Sequence, residues 1–196
     1  MRAALILCLG VLLAACGPNL APAATVSPSG SPASVASAPR IQPPPVTPPI
    51  PPGTNLPAFA CADSSGGKTG VANLVTARVA EQPGYDRFVL QFDSAVPSYT
   101  VKRQASPVFV FGASGQTITL SGTSGVLVNV QSATGANSFT GSTDLTHSEY
   151  IVLKEARQTQ DFEGHLSWGL GLSKPACLRA FTLADPARLV VDFSTT

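Results

Sequence analysis

Charge is scarce in this chain. Asp, Glu, Lys and Arg make up 12% of 196 residues, with 12 Lys and Arg against 11 Asp and Glu. No run of basic residues occurs. That argues against nucleic acid, which needs a basic surface to track phosphates, and against a polybasic grip on an anionic membrane face. Histidine is limited to His147 and His165, and no Cys or His pair has ligand spacing, so no metal site is expected. There is no Gly-x-Ser-x-Gly elbow, and no Gly-rich loop joins a strand to a helix with a following Lys. Nucleophile-elbow and phosphate-loop chemistry are thereby set aside, and no cofactor is expected. No segment of a dozen residues keeps an apolar period near 3.6, which leaves little room for amphipathic helices.

The one long apolar run, Ala3 to Ala15, follows a single positive charge at Arg2. It has about 13 residues, short of the roughly 20 that span a bilayer as a helix, so it reads as a cleaved signal segment. Its end, Leu13-Ala14-Ala15-Cys16, resembles the bacterial lipoprotein signal, or lipobox. The resemblance implies that residues 1–15 are removed and that Cys16 carries acyl chains such as palmitate, several of which hold a protein stably to a membrane. The other reading is an ordinary signal peptide that happens to precede a cysteine. Without Arg2 the mature chain has 11 basic and 11 acidic residues and is formally neutral. Gly17 is not the Asp associated with inner-membrane retention, so a cell-surface or periplasmic-side location stays open.

With Cys8 in the discarded segment and Cys16 at the lipid, Cys61 and Cys177 remain in an exported, oxidising setting. They are expected to pair, with two buried free thiols as the alternative. A loop of that length closed by a disulfide is worth about 4–5 kcal/mol in the chain-entropy model.

Residues 16–57 differ in kind from the rest of the mature chain. Between Gly17 and Pro57 lie 13 of the 18 prolines, with Arg40 as the only charge. Such a segment favours extended polyproline geometry, cannot form a core, and reads as a disordered tether reaching on the order of 120 Å. Residues 58–196 change to short strands between turn signals. In Tyr85–Asp93, Phe88, Leu90 and Phe92 alternate with Arg87, Val89 and Gln91, and Pro83-Gly84 marks the turn before them. About nine or ten strands are expected, including Tyr150–Thr159, in a single all-β sandwich. Ser132–His147 is polar and aperiodic and is expected to be a long surface loop and a candidate contact region.

Four stretches then become specific. They are Gly84-Tyr85-Asp86-Arg87-Phe88-Val89, Asp161-Phe162-Glu163-Gly164, Leu166-Ser167-Trp168-Gly169-Leu170-Gly171-Leu172 and Pro186-Ala187-Arg188-Leu189-Val190-Val191-Asp192. In that order they resemble the AMIN-like domain of bacterial exported proteins and lipoproteins, over roughly Val71 to Ser194. The closing Arg-Leu-Val-Val-Asp strand is shared with AMIN domains proper. The resemblance implies a β-sandwich that binds in the cell envelope, with peptidoglycan as the implied partner, and does not catalyse.

Candidate ligand contacts are set by residue type. Arg87 and Arg188 offer guanidinium forks for a carboxylate, unless Asp86 or Asp192 takes them. Tyr85 and Tyr150, if exposed, present faces for a sugar ring. Asp161 and Glu163, if extended, point to one side about 6.5–7 Å apart, a spacing compatible with glycosidase carboxylates, although turn-capping is the commoner use. His165 stands beside them. Trp168 shares a strand face with Leu166, Leu170 and Leu172, which makes it a core residue before it is a sugar platform. The opposite face, Ser167, Gly169 and Gly171, suits close approach of another element. The expectation is a lipid-anchored, non-catalytic envelope module that binds peptidoglycan or another wall component. The alternatives are an assembly protein that joins envelope proteins through sheet edges or loops, and a carbohydrate-active enzyme using Asp161 and Glu163.

Overall fold

The computed structural model describes residues 55–196; the expected signal segment, the lipid site expected at Cys16 and the expected tether as far as residue 54 lie outside the described residues. Thirteen strands and no helix occur among the described residues. The first six are β1 (Ser64–Gly66), β2 (Ala72–Gln82), β3 (Tyr85–Phe92), β4 (Tyr99–Gln104), β5 (Val108–Phe111) and β6 (Gln116–Thr119). The rest are β7 (Ser124–Gln131), β8 (Ala133–Thr134), β9 (Asp144–Thr146), β10 (Leu153–Phe162), β11 (His165–Leu172), β12 (Leu178–Leu183) and β13 (Arg188–Ser194). They build the all-β sandwich: a six-stranded sheet ordered β1-β4-β7-β11-β10-β9, a five-stranded sheet ordered β12-β13-β3-β2-β8, and a separate β5–β6 hairpin. Every pairing is antiparallel except β2 with β8.

Period-two alternation makes the core. Phe88, Leu90 and Phe92 of β3, with Leu189, Val191 and Phe193 of β13, meet Val126, Val128 and Val130 of β7 and Leu166, Trp168, Leu170 and Leu172 of β11. Each such side chain, fully buried, contributes about 1.5–3 kcal/mol. Trp168 lies in the middle, its ring 5.5 Å from that of Phe88 and 6.1 Å from that of Phe139, and is a core residue. Cys61 and Cys177 form a disulfide across 116 residues of sequence. Next to it Ala60 and Leu178 exchange backbone hydrogen bonds of 2.8 and 2.9 Å, so the incoming chain also protects the β12 edge.

Three expectations need correction. Ser132–His147 is not an unstructured loop: it holds β8 and β9, and Phe139 packs on the core. The tenth strand begins at Leu153 and continues to Phe162, not Tyr150 to Thr159. The cause is Asp86, whose buried Oδ2 accepts the Val152 and Leu153 N–H groups at 2.6 and 2.8 Å and fixes the strand's start. Finally, Asp161 and Glu163 are not two extended neighbours. Asp161 is in β10, whereas Glu163 and Gly164, at φ 50° and 75°, form the two-residue turn to β11.

Candidate functional site

Strand register places four of the six described arginines on the outer face of the five-stranded sheet, away from the core. Across that face Arg179 of β12, Asp192 of β13 and Arg87 of β3 stand in one row. The next row is Phe181, Val190, Val89 and Arg78, and the third is Leu183, Arg188, Gln91 and Thr76. Asp192 is the only acid in these three rows.

Asp192 is fully buried and answers two of the cations. Its Oδ1 accepts from Arg87 Nε at 2.6 Å, and its Oδ2 accepts from Arg87 Nη2 at 2.8 Å and from Arg179 Nε at 2.8 Å. A two-pronged fork of this kind is a strong, directional pair. Burial by itself would lower the Arg87 pKa, but the bonds and charge of Asp192 outweigh it and hold the pKa above its ordinary value. Aromatic rings close over the pair: Arg179 lies 4.4 Å from the Phe59 ring centre and 4.9 Å from that of Tyr85, and Arg87 lies 5.0 Å from Tyr85. Leu56 packs on the small apolar cluster of Val89, Val190 and Phe181 beneath. The chain that enters the domain therefore covers one end of this face.

The other end is finished differently. Arg78 Nη2 donates to Gln91 Oε1 at 3.0 Å, and Arg188 Nε donates to the Pro186 carbonyl at 3.2 Å. Neither arginine belongs to an ion pair among the described residues. Burial first, then the charges of Arg78 and Arg87, press the Arg188 pKa below its ordinary value. Arg78 Nε and Thr76 Oγ1 are buried without a hydrogen-bond partner.

The sheet thus brings Tyr85, Arg87 and Arg188 onto one face, with Arg87 only 4% exposed and committed to Asp192. The other expected contacts lie elsewhere. Asp161 Oδ1 accepts from Thr134 Oγ1 at 2.7 Å and Oδ2 from the Gly135 N–H at 2.8 Å, so this carboxylate anchors the segment after β8. Glu163 and the exposed His165 sit at the β10–β11 turn. Tyr150 precedes β10 and stacks on His147 with ring centres 4.5 Å apart; burial, then the charge of Glu149, raises its pKa. Arg78, Arg179, Gln91 and Phe59 were missed by sequence reasoning. Arg78 and Arg179 carry the same signal as Arg188, an arginine between apolar strand positions, and become neighbours only through the strand order.

The outer face of the six-stranded sheet has the opposite character. Ser167, Gly169 and Gly171 of β11 and Gly125 of β7 leave a trough, and the β5–β6 hairpin lies in it. A Cβ on Gly169 would stand 2.9 Å from the Phe109 ring, and one on Gly171 would collide with the Ser121 carbonyl. Packing against a neighbouring element is thus the use to which those glycines are put. A cleft of about 390 Å³ between Asp93–Val96 and Thr182–Ala187 carries mixed charge from Lys68, Asp93 and Asp185. No cluster of His, Cys, Asp and Glu able to hold a metal ion occurs among the described residues.

These features define a disulfide-pinned all-β sandwich with one arginine-rich sheet face. The AMIN-like domain model matches residues 72–195, well over half of the chain, and the chain belongs to that family. No curated protein sequence matches it at a significant level.

Proposed function

We propose that this protein is a lipid-anchored, non-catalytic envelope module that holds cell-wall material on the outer face of its five-stranded sheet. Residues 1–15 are removed, Cys16 takes the lipid, 16–57 form the tether and 58–196 form the binding head. The observation that carries the reading is the charge imbalance on that face, where four arginines meet one acid. Peptidoglycan is a suitable partner because its stem peptides end in carboxylates, which guanidinium groups recognise well. Tyr85 and Phe59 add ring surface beside the cations. Membership of the AMIN-like family supports an envelope setting.

The test is a pull-down of the full chain on purified peptidoglycan. Retention that excess muropeptide abolishes is expected, and absence of retention would end the wall-binding reading. Intact-mass measurement of membrane-extracted protein is expected to show a chain starting at Cys16 with acyl mass. A different start without lipid would contradict the anchor. A second reading, assembly with an envelope protein, draws on the exposed Val108, Val110 and Phe111 of the β5–β6 hairpin. Retention by an envelope protein fraction and none by peptidoglycan would favour it. The enzyme reading has little left to use, because both Asp161 oxygens already hold the segment after β8.

A further inference from the structure

Within the arginine-rich face, we infer that Arg78 and Arg188 form an oxyanion seat over β3, with the Gln91 amide between them. The inference rests on the reading of this face as the contact surface and says which atoms make the contact.

Two strand spacings, about 9.5 Å, separate β2 from β13 across β3, and two arginine side chains can span that distance. Arg78 leans the right way, since its Nη2 reaches the Gln91 Oε1 on β3. Arg188 is the cross-strand partner of Gln91 from the other side. The Gln91 oxygen is thereby engaged, which leaves the N–H end of its amide as a neutral donor. The two cations are close enough that Arg78 contributes to lowering the Arg188 pKa.

Like charges held together cost free energy unless a counter-charge answers them. At the covered end of the face Asp192 is that counter-charge, and both of its oxygens are used by Arg87 and Arg179. At the Arg78–Arg188 end no acid is in place among the described residues. Arg78 Nε and Thr76 Oγ1 are also left without partners. The same sheet therefore shows one cation pair closed by an internal carboxylate and a second pair whose Arg78 Nη2 and Arg188 Nε meet only the neutral oxygens of Gln91 and Pro186, with no charge to answer the two guanidinium groups. A carboxylate or a phosphate fits, because each presents two oxygens to paired N–H donors. Stem-peptide carboxylates and a phosphate-bearing envelope polymer are the two sources of that chemistry.

The experiment uses the full chain in detergent micelles, with the arginine Nε–H resonances followed by NMR. The probes are acetyl-D-Ala-D-Ala, its C-terminal amide, and inorganic phosphate. The free-acid dipeptide or phosphate is expected to shift the Arg78 and Arg188 signals, and the amide is expected to leave them in place. Displacement of the dipeptide by phosphate at low concentration indicates a phosphate polymer as source; poor competition indicates a stem carboxylate. Both results support the seat. R78Q and R188Q are expected to weaken binding at least tenfold while thermal melting stays near the parent value. R78K and R188K, which keep the charge and lose the fork, are expected to fall between. Unshifted Arg78 and Arg188 signals, equal response to the amide, or unchanged affinity in R78Q and R188Q would overturn the seat. Retention of the parent chain on peptidoglycan with no oxyanion response removes the seat alone. Oxyanion response without retention removes the wall reading alone.

Discussion

On the six-stranded sheet the outer face is filled by backbone approach, with Phe109 and the Ser121 carbonyl lying against Gly169 and Gly171. On the five-stranded sheet it is filled by long side chains, with Arg87 and Arg179 clamped on Asp192 under Phe59 and Tyr85. Antiparallel sheets commonly leave one face to water. Here β3, β11 and β13 are largely buried on both faces, so each sheet carries a cover in addition to the shared core. The first cover satisfies itself, because glycine and phenylalanine bring no charge. The second ends with two cations that no acid among the described residues answers, and the proposed binding role of the arginine face rests on that difference.

The covers can be broken separately. The largest effect is expected from reducing the Cys61–Cys177 bond, which pins the entering segment over the arginine face. A loop of 116 residues is worth about 4–5 kcal/mol in the chain-entropy model. Urea unfolding with and without reductant reads that loss, and hydrogen exchange should rise around Phe59 and leave the β5–β6 hairpin protected. Next comes D192A, which strands the buried Arg87 and half-buried Arg179 guanidinium groups. Removing one partner of a buried pair costs about 3–5 kcal/mol, and a loss under about 1 kcal/mol by chemical denaturation would contradict the clamp. G169A acts on the other sheet. Its Cβ would press on the Phe109 ring, and such overpacking costs about 1–3 kcal/mol, with raised exchange confined to the hairpin. The smallest stability effect is expected for R78Q and R188Q, within about 0.5 kcal/mol, because they relieve repulsion without opening the core.

Much of the inner structure was legible in the chain itself. The alternation of Phe88, Leu90 and Phe92 is local, as is the placement of Trp168 with Leu166 and Leu170, and both faces followed from period two alone. The pairing of Cys61 with Cys177 followed from compartment, and the motifs around Arg87 and Arg188 pointed to the AMIN-like family. What was not legible depends on contacts between distant residues. Ser132–His147 has no period because Asp161 and Phe139 hold it, one through hydrogen bonds to Thr134 and Gly135 and the other through the core. The start of β10 is set by Asp86, more than sixty residues earlier. Arg78 and Arg188 become neighbours only once β2, β3 and β13 lie side by side. The strand motif singled out Arg188 by itself, but its pairing with Arg78 leaves no signature along any one strand.

On the proposed reading, the arginine face of the five-stranded sheet holds the wall and the glycine face does not. Retention of the full chain on purified peptidoglycan, compared among the parent, the R78Q/R188Q double variant and G169A, tests it most directly. The parent and G169A should be retained and the double variant released. Equal retention of the double variant, with selective loss in G169A, would place the contact on the wrong sheet and contradict the account.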